Sequence, residues 1–178
     1  LYHFLKIHSI DDLPLLIDSK KISSYDLLVK TLDFFLEDVT LRPERYRGKK
    51  LYESMKKMGF EAGWGNTLSR VVETMKLLDA CLNAPDEAVL EKFITRIPMI
   101  SKMAIISPHG WFGQKGVLGR PDTGGQVVYI LDQIHYLERK LKEDLRLAGI
   151  NIKPTLFVIT RLIPDADNTS CNQEKEKI

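Results

Sequence analysis

Apolar residues recur along this chain in two rhythms, and the change from one to the other divides it. Over the first hundred or so residues the spacing is three and four, the period of a helix with one buried face. Leu28, Leu32, Phe35, Leu36 and Val39 form one such stripe. Leu68, Val71, Val72, Met75, Leu78 and Leu82 form a second, and Val89, Leu90, Phe93, Ile94 and Ile97 a third. The punctuation agrees. Ser23-Ser24-Tyr25-Asp26 resembles a capping box with Asp in place of Glu, and it opens a helix to about Val39. Pro43 and Gly48 break the pattern before a short helix carrying Leu51, Met55 and Met58. Asn66 or Thr67 caps the second stripe, Pro85-Asp86 starts the third, and Arg96-Ile97-Pro98 ends it. Leu1 to Ile7 reads as a helix end, and Asp11 to Ile22, which contains Pro14, as a connector. Residues 1–101 are therefore expected to be a helical region.

From Lys102 the rhythm changes. Met103-Ala104-Ile105-Ile106 is a continuous apolar run, read as a short buried strand. Ser107-Pro108-His109-Gly110 stops it. A loop with Gly110, Gly113, Gly116 and Gly119 follows and closes on Asp122-Thr123-Gly124-Gly125. A long amphipathic helix then begins near Gln126, with Val127, Leu131, Ile134, Leu137, Leu141 and Leu145 on its apolar side. After Gly149 comes a second strand, Thr155 to Thr160. Strand, helix and strand make the start of a parallel sheet, so residues 102–178 are assigned to an α/β domain. Such sheets bind ligands at the carboxyl ends of their strands, where His109 and Gly124 fall.

The chemistry follows from that placement. A helix N-terminus offers unpaired amides and a positive dipole end to an anion. Two adjacent glycines remove the Cβ atoms that would keep a ligand from the backbone, and they permit positive φ. Thr123 or Asp122 can cap the helix. Gly124 and Gly125 are accordingly read as facing a phosphate-bearing ligand, with a plain tight turn as the competing reading. Neither a P-loop nor the G-x-G-x-x-G spacing is present.

Composition narrows the classes. Hydrophobic residues make up 44% of the 178, which suits a globular fold, and the net charge is +2. Lys and Arg are scattered, so no nucleic-acid footprint emerges. No apolar run approaches membrane-spanning length, and no signal peptide is visible. Cys81 and Cys171 lie far apart, without metal-ligand spacing. Cys81 reads as a buried thiol, and a reducing, cytoplasmic compartment fits. His3 and His8 have no partners that would make them ligands. In Gly59 to Thr67, three glycines flank Trp64, which is read as wedged between helices.

Ser107-Pro108-His109-Gly110, then Val117 to Gln133, then Val158 to Ala166, resemble the sucrose synthase family. GFEAGWGNT, LNAPDEAVLEKF and RIPM are similar to the helical region before that family's transferase domain. The ordered blocks span Lys49 to Ala166; residues 1–48 match more loosely, and Trp111 and His135-Tyr136 depart from the pattern. The resemblance implies a retaining glycosyltransferase of GT-B fold, two facing Rossmann-like domains that reversibly convert sucrose and UDP into fructose and UDP-glucose. It implies that Gly124 and Gly125 contact the donor diphosphate and that His109 and Gln126 bond sugar hydroxyls. It implies no cofactor and no metal ion. The expected partners are sucrose, fructose and a nucleotide sugar, in a homo-oligomer, a tetramer at full length. The paired glutamates and the cationic residues of the second domain are not in this sequence. The chain is thus expected to be an incomplete piece, inactive alone, with the choice between UDP and ADP left open. Two alternatives stand beside it: a transferase like sucrose-phosphate synthase, and a non-catalytic piece for oligomer contacts or binding. For the last, Tyr25, Phe34 and Phe35 are candidate contacts, with core packing as the competing reading.

Overall fold

A computed structural model describes residues 1–112, 116–117, 119–120 and 123–173. The elements are α1 (Tyr2–Ile7), β1 (Ser9–Ile10), β2 (Leu13–Pro14), α2 (Tyr25–Leu41), α3 (Lys49–Met58), α4 (Leu68–Asn83), α5 (Glu87–Ile94), β3 (Lys102–Ile106), α6 (Gly125–Leu147) and β4 (Thr155–Ile159). Short 3-10 turns cover Pro43–Tyr46 and Ala62–Trp64. This is the mixed architecture expected, helices first and the opening of a parallel sheet after. The chain forms two compact units, Leu1–Ser101 with Glu143–Lys153, and Lys102–Lys142 with Pro154–Ile178. The units do not follow the contiguous division 1–101 and 102–178. Leu145, Ala148 and Ile150 are apolar and lie buried in the helical core, which draws that stretch into the first unit.

The first unit is built by its caps and by one tryptophan. Ser24 Oγ accepts from the Leu27 amide at 3.2 Å, Thr67 Oγ1 from Arg70 at 3.3 Å and Asp86 Oδ1 from Val89 at 3.1 Å. With Ser24 as the cap, the third helical residue is Leu27, so the reciprocal carboxylate of a capping box is not in place. Asp26 still sits in the first turn, where the helix dipole favours a negative charge. Trp64 is 1% exposed, and its indole N–H donates to the Leu16 carbonyl at 2.8 Å. Phe60 packs edge-on against it, and Phe35 edge-on against Phe60. The glycine before Trp64 is required by proximity: a Cβ on Gly63 would lie 2.7 Å from the Leu15 carbonyl oxygen. On the far side, the Gly65 and Asn66 amides donate to the Ala148 and Leu147 carbonyls at 3.1 and 3.0 Å.

Three features depart from the pattern reading. At the start of the expected connector, β2 pairs antiparallel with β1 just before it, Ser9 with Pro14 and Ile10 with Leu13. The turn is Asp11-Asp12, both at positive φ (50° and 62°), the mirror-image turn that suits the twist of a hairpin. Phe35 is core, whereas Phe34 and Tyr25 are exposed. Asp38 is buried on α2. It accepts from the Tyr46 hydroxyl at 2.6 Å and pairs with Arg45 at 3.1 Å and Arg42 at 3.3 Å. The Tyr46 hydrogen bond holds the Asp38 carboxyl below its ordinary range, with the two arginines assisting. Burial, then the same hydrogen bond, pushes the Tyr46 phenol up to about 12.

In the second unit β3 and β4 pair in parallel, from Lys102 with Thr155 to Ile106 with Ile159. The expected fully buried strand is instead half-buried, with alternate residues exposed. Ile105 and Val158 pack against Phe112, Val127 and Ile130, so α6 covers one face. On the other face Ile106 is 73% exposed, and Phe157 and Ile159 are 52% exposed each. A parallel strand is buried on both faces only when elements cover both.

Candidate functional site

The site grows from the end of β3. The Ser107 amide donates to the Ile159 carbonyl at 2.9 Å, carrying the ladder one residue past the strand. Ser107 is buried, and its hydroxyl donates to the His109 carbonyl at 3.4 Å, which folds the Ser-Pro-His-Gly turn back on itself. Gly110 takes φ 92°, and the His109 side chain is left at the surface.

The turn is tied to the helix entrance. The Trp111 amide donates to Thr123 Oγ1 at 3.2 Å, and Thr123 is buried. The Thr123 amide donates to the Arg120 carbonyl at 3.0 Å. Gly124 follows, and α6 starts at Gly125, its first helical bond running from the Val127 amide to the Gly124 carbonyl at 3.2 Å. Thr123 therefore stands two residues before the helix, and the capping position is Gly124, which has no side chain to cap with. The expected Asp122 alternative, like Gly113 of the loop, lies outside the described residues.

Gly124, Gly125 and Gln126 are exposed. Neither glycine uses positive φ; that conformation falls at Gly110, Gly116 and Gly119 instead. A Cβ built on Gly124 or Gly125 meets nothing within 4 Å. The protein's own packing thus gives no reason for two glycines here. The first-turn amides of a helix have no partner inside it, so this entrance presents donors at an unobstructed surface. His109 and the stretch Thr123–Gln126 are brought to the same end of the sheet, at the carboxyl end of β3.

A set of residues outside the pattern reading supports this loop. The Arg120 guanidinium lies 5.5 Å above the Trp111 ring centre. It forms an ion pair with Asp167, and its Nη2 also donates to the Asp167 carbonyl at 3.0 Å. Arg120 Nε donates to the Gly116 carbonyl at 3.3 Å. The Cys171 thiol donates to the Phe112 carbonyl at 3.1 Å. Asp165-Ala166-Asp167 is an Asp-x-Asp triplet, a spacing that suggests metal binding in isolation. Here Asp167 is committed to Arg120 and Ala166 is buried with Val117 and Cys171. Among the described residues no three His, Cys, Asp or Glu side chains cluster as metal ligands.

A parallel strand–helix–strand unit with a glycine loop at its carboxyl end is the opening of a Rossmann-like α/β domain. Comparison with known proteins makes the class specific. The family description "Sucrose synthase first GT-B domain" matches residues 88–178, and "Sucrose synthase EPBD domain" matches residues 1–66. The chain belongs to the sucrose synthase family of GT-B glycosyltransferases. It is 49% identical over 181 residues to a sucrose synthase of Thermosynechococcus vestitus, 44% identical over 178 to one of Acidithiobacillus caldus, and 42% identical over 178 to sucrose synthase 3 of Arabidopsis thaliana. Each match covers the whole of this chain and 22% of the relative's length.

Proposed function

We propose that this chain is part of a sucrose synthase that reversibly converts sucrose and UDP, or another nucleoside diphosphate, into fructose and the nucleotide sugar. Gly124 and Gly125 face the donor diphosphate, and His109 and Gln126 bond sugar hydroxyls. The observation that carries the reading is the open glycine pair at the entrance of α6, beside the exposed His109 turn. Backbone amides pre-aimed at a diphosphate stabilise charge that grows as the glycosidic bond breaks. In this reading they hold that charge without a metal ion or cofactor. The helical region 1–101 precedes the transferase domain that starts at 102, and the full-length protein is a homo-oligomer, a tetramer. A reducing, cytoplasmic setting belongs to the same reading; both cysteines are buried free thiols. The chain alone releases no fructose from sucrose and UDP, because orientation and charge stabilisation require both halves of a GT-B enzyme.

The test is Gly125→Val in the full-length protein. Open space around Gly125 and its ordinary φ predict an unchanged fold, so any kinetic loss reports on the ligand. A lost charge-assisted contact is worth about 1.5–3 kcal/mol. With steric exclusion added, turnover should fall at least about 100-fold, each 1.36 kcal/mol being tenfold. Gln126→Ala should weaken fructose more than UDP. Near-wild-type turnover of Gly125→Val, with an unchanged circular dichroism spectrum, would leave the Thr-Gly-Gly-Gln stretch a plain turn.

A further inference from the structure

Arg120, which precedes the entrance of α6, is held by a later stretch of the chain. Residues 163–171 close on themselves through the Ile163 amide, which donates to the Cys171 carbonyl at 3.1 Å. Inside this short collar the Thr169 amide and hydroxyl both donate to the Ala166 carbonyl, at 2.8 and 2.6 Å. The turn places Asp167 and Asn168 at positive φ, 44° and 63°, a conformation that a residue with a Cβ adopts at a cost. That turn delivers the Asp167 carboxylate and carbonyl to the Arg120 guanidinium. Arg120 in turn spans the Trp111 ring and the Gly116 carbonyl. Trp111 donates its amide to Thr123, immediately before the glycine pair. Contacts therefore run without a break from Asp167 through Arg120 and Trp111 to the entrance of α6.

We infer that Arg120 and Asp167 are positioning residues: their ion pair clasps the collar 163–171 to the glycine loop and so sets the helix entrance where the substrate's charged group docks. The inference rests on the phosphate reading of Gly124 and Gly125. The pair is ill suited to a role in global stability alone. Arg120 and Asp167 keep 31% and 61% of their side-chain surface exposed, and exposed ion pairs contribute little to folding. Its geometry is nonetheless fixed at several points, by two contacts to one residue, a carbonyl and a ring face. Guanidinium groups suit such planar, multi-point fixation, which a lysine does not reproduce.

The experiment uses the full-length protein, with UDP and sucrose as probes. Asp167→Asn, Arg120→Lys and the charge exchange Arg120→Asp with Asp167→Arg are compared by steady-state kinetics, UDP affinity and melting temperature. Asp167→Asn should lower kcat for sucrose cleavage by about tenfold or more with a melting temperature within a few degrees of wild type. Arg120→Lys should keep the charge and fail to rescue. The exchange should not recover the loss, because an aspartate at 120 can neither stack as a cation on Trp111 nor donate to the Gly116 carbonyl. Kinetics within twofold of wild type for both single variants overturn the inference. So does a loss of activity that only tracks a lowered melting temperature, which marks the pair as structural. If Gly125→Val is silent, the phosphate reading fails first; if Gly125→Val is inactive while Asp167→Asn is normal, only the clasp fails.

Discussion

The two compact units bury their apolar residues in opposite ways. The helical unit gathers Leu5, Leu28, Leu32, Phe35, Phe60, Trp64, Met75 and Phe93 into one cluster, each essentially inaccessible to solvent. Among the described residues, the sheet unit has two small clusters, centred on Phe112 with Val127 and Ile130 and on Val117 with Ala166 and Cys171. It leaves one face of β3 and β4 at the surface. Where the chain is dense with helical stripes, hydrophobic burial and capping close the structure locally. Where it is dense with loops and glycines, ion pairs, a thiol and backbone hydrogen bonds define the shape. The proposed binding chemistry falls in the second kind of region, since amides needed by a ligand are not consumed by packing.

The sharpest way to break this contrast is at Trp64. Truncating a fully buried aromatic costs about 3–5 kcal/mol. Trp64→Ala also leaves the Leu16 carbonyl without its indole donor. Denaturant unfolding followed by circular dichroism should show that loss; a change below about 1 kcal/mol would mean that the helical core is not organised around this ring. Next in size is Tyr46→Phe, which should cost about 0.5–1.5 kcal/mol at neutral pH. Its pH dependence has two arms. The Tyr46 phenol is raised from 10.0 to about 12, so its share of stability is complete below pH 10.0 and is lost as pH rises to about 12. The Asp38 carboxyl is lowered, so its share is present above the ordinary carboxylate range and is lost as pH falls through the lowered value. The phenylalanine variant should show a shallower decline at both ends in melting temperature against pH. The smallest effect belongs to the open sheet face. Phe157→Ser should change stability by no more than about 0.5 kcal/mol while reducing binding of a hydrophobic dye. A large destabilisation would show that Phe157 is packed, against its 52% exposure.

The helices, the two strands and the helix entrance were legible because each is encoded by near neighbours. Periodicity, Ser24, Thr67 and Asp86 at caps, and Gly124-Gly125 before an apolar stripe are all local signals. What escaped is relational. Asp38 on α2 gives no sign in the pattern that it is inside, because only Arg42, Arg45 and Tyr46 make its burial tolerable. Phe34 and Phe35 are adjacent aromatics with opposite fates, decided by a 100° turn of the helix. The Asp11-Asp12 hairpin was concealed by Pro14, which a two-stranded edge accepts. The stretch beyond Ala166 carries no local signal, since Asp167 and Cys171 reach Arg120 and Phe112, 47 and 59 residues away in sequence. For His109, Gly124, Gly125 and Gln126, the sequence indicates which end of the sheet they occupy; what they bind is the subject of the kinetic tests.

The chain has two tryptophans, and the fold gives one to each unit. Trp64 is sealed beside Phe60 and Phe93, whereas Trp111 is half-buried beneath a guanidinium. An indole shut away from water emits toward the blue, and one at a wet, charged boundary emits toward the red. The molecule therefore carries two built-in optical reporters of different colour. With either replaced by phenylalanine, the remaining fluorescence would follow one unit alone, so that loosening of the glycine loop could be watched while the helical core stays dark.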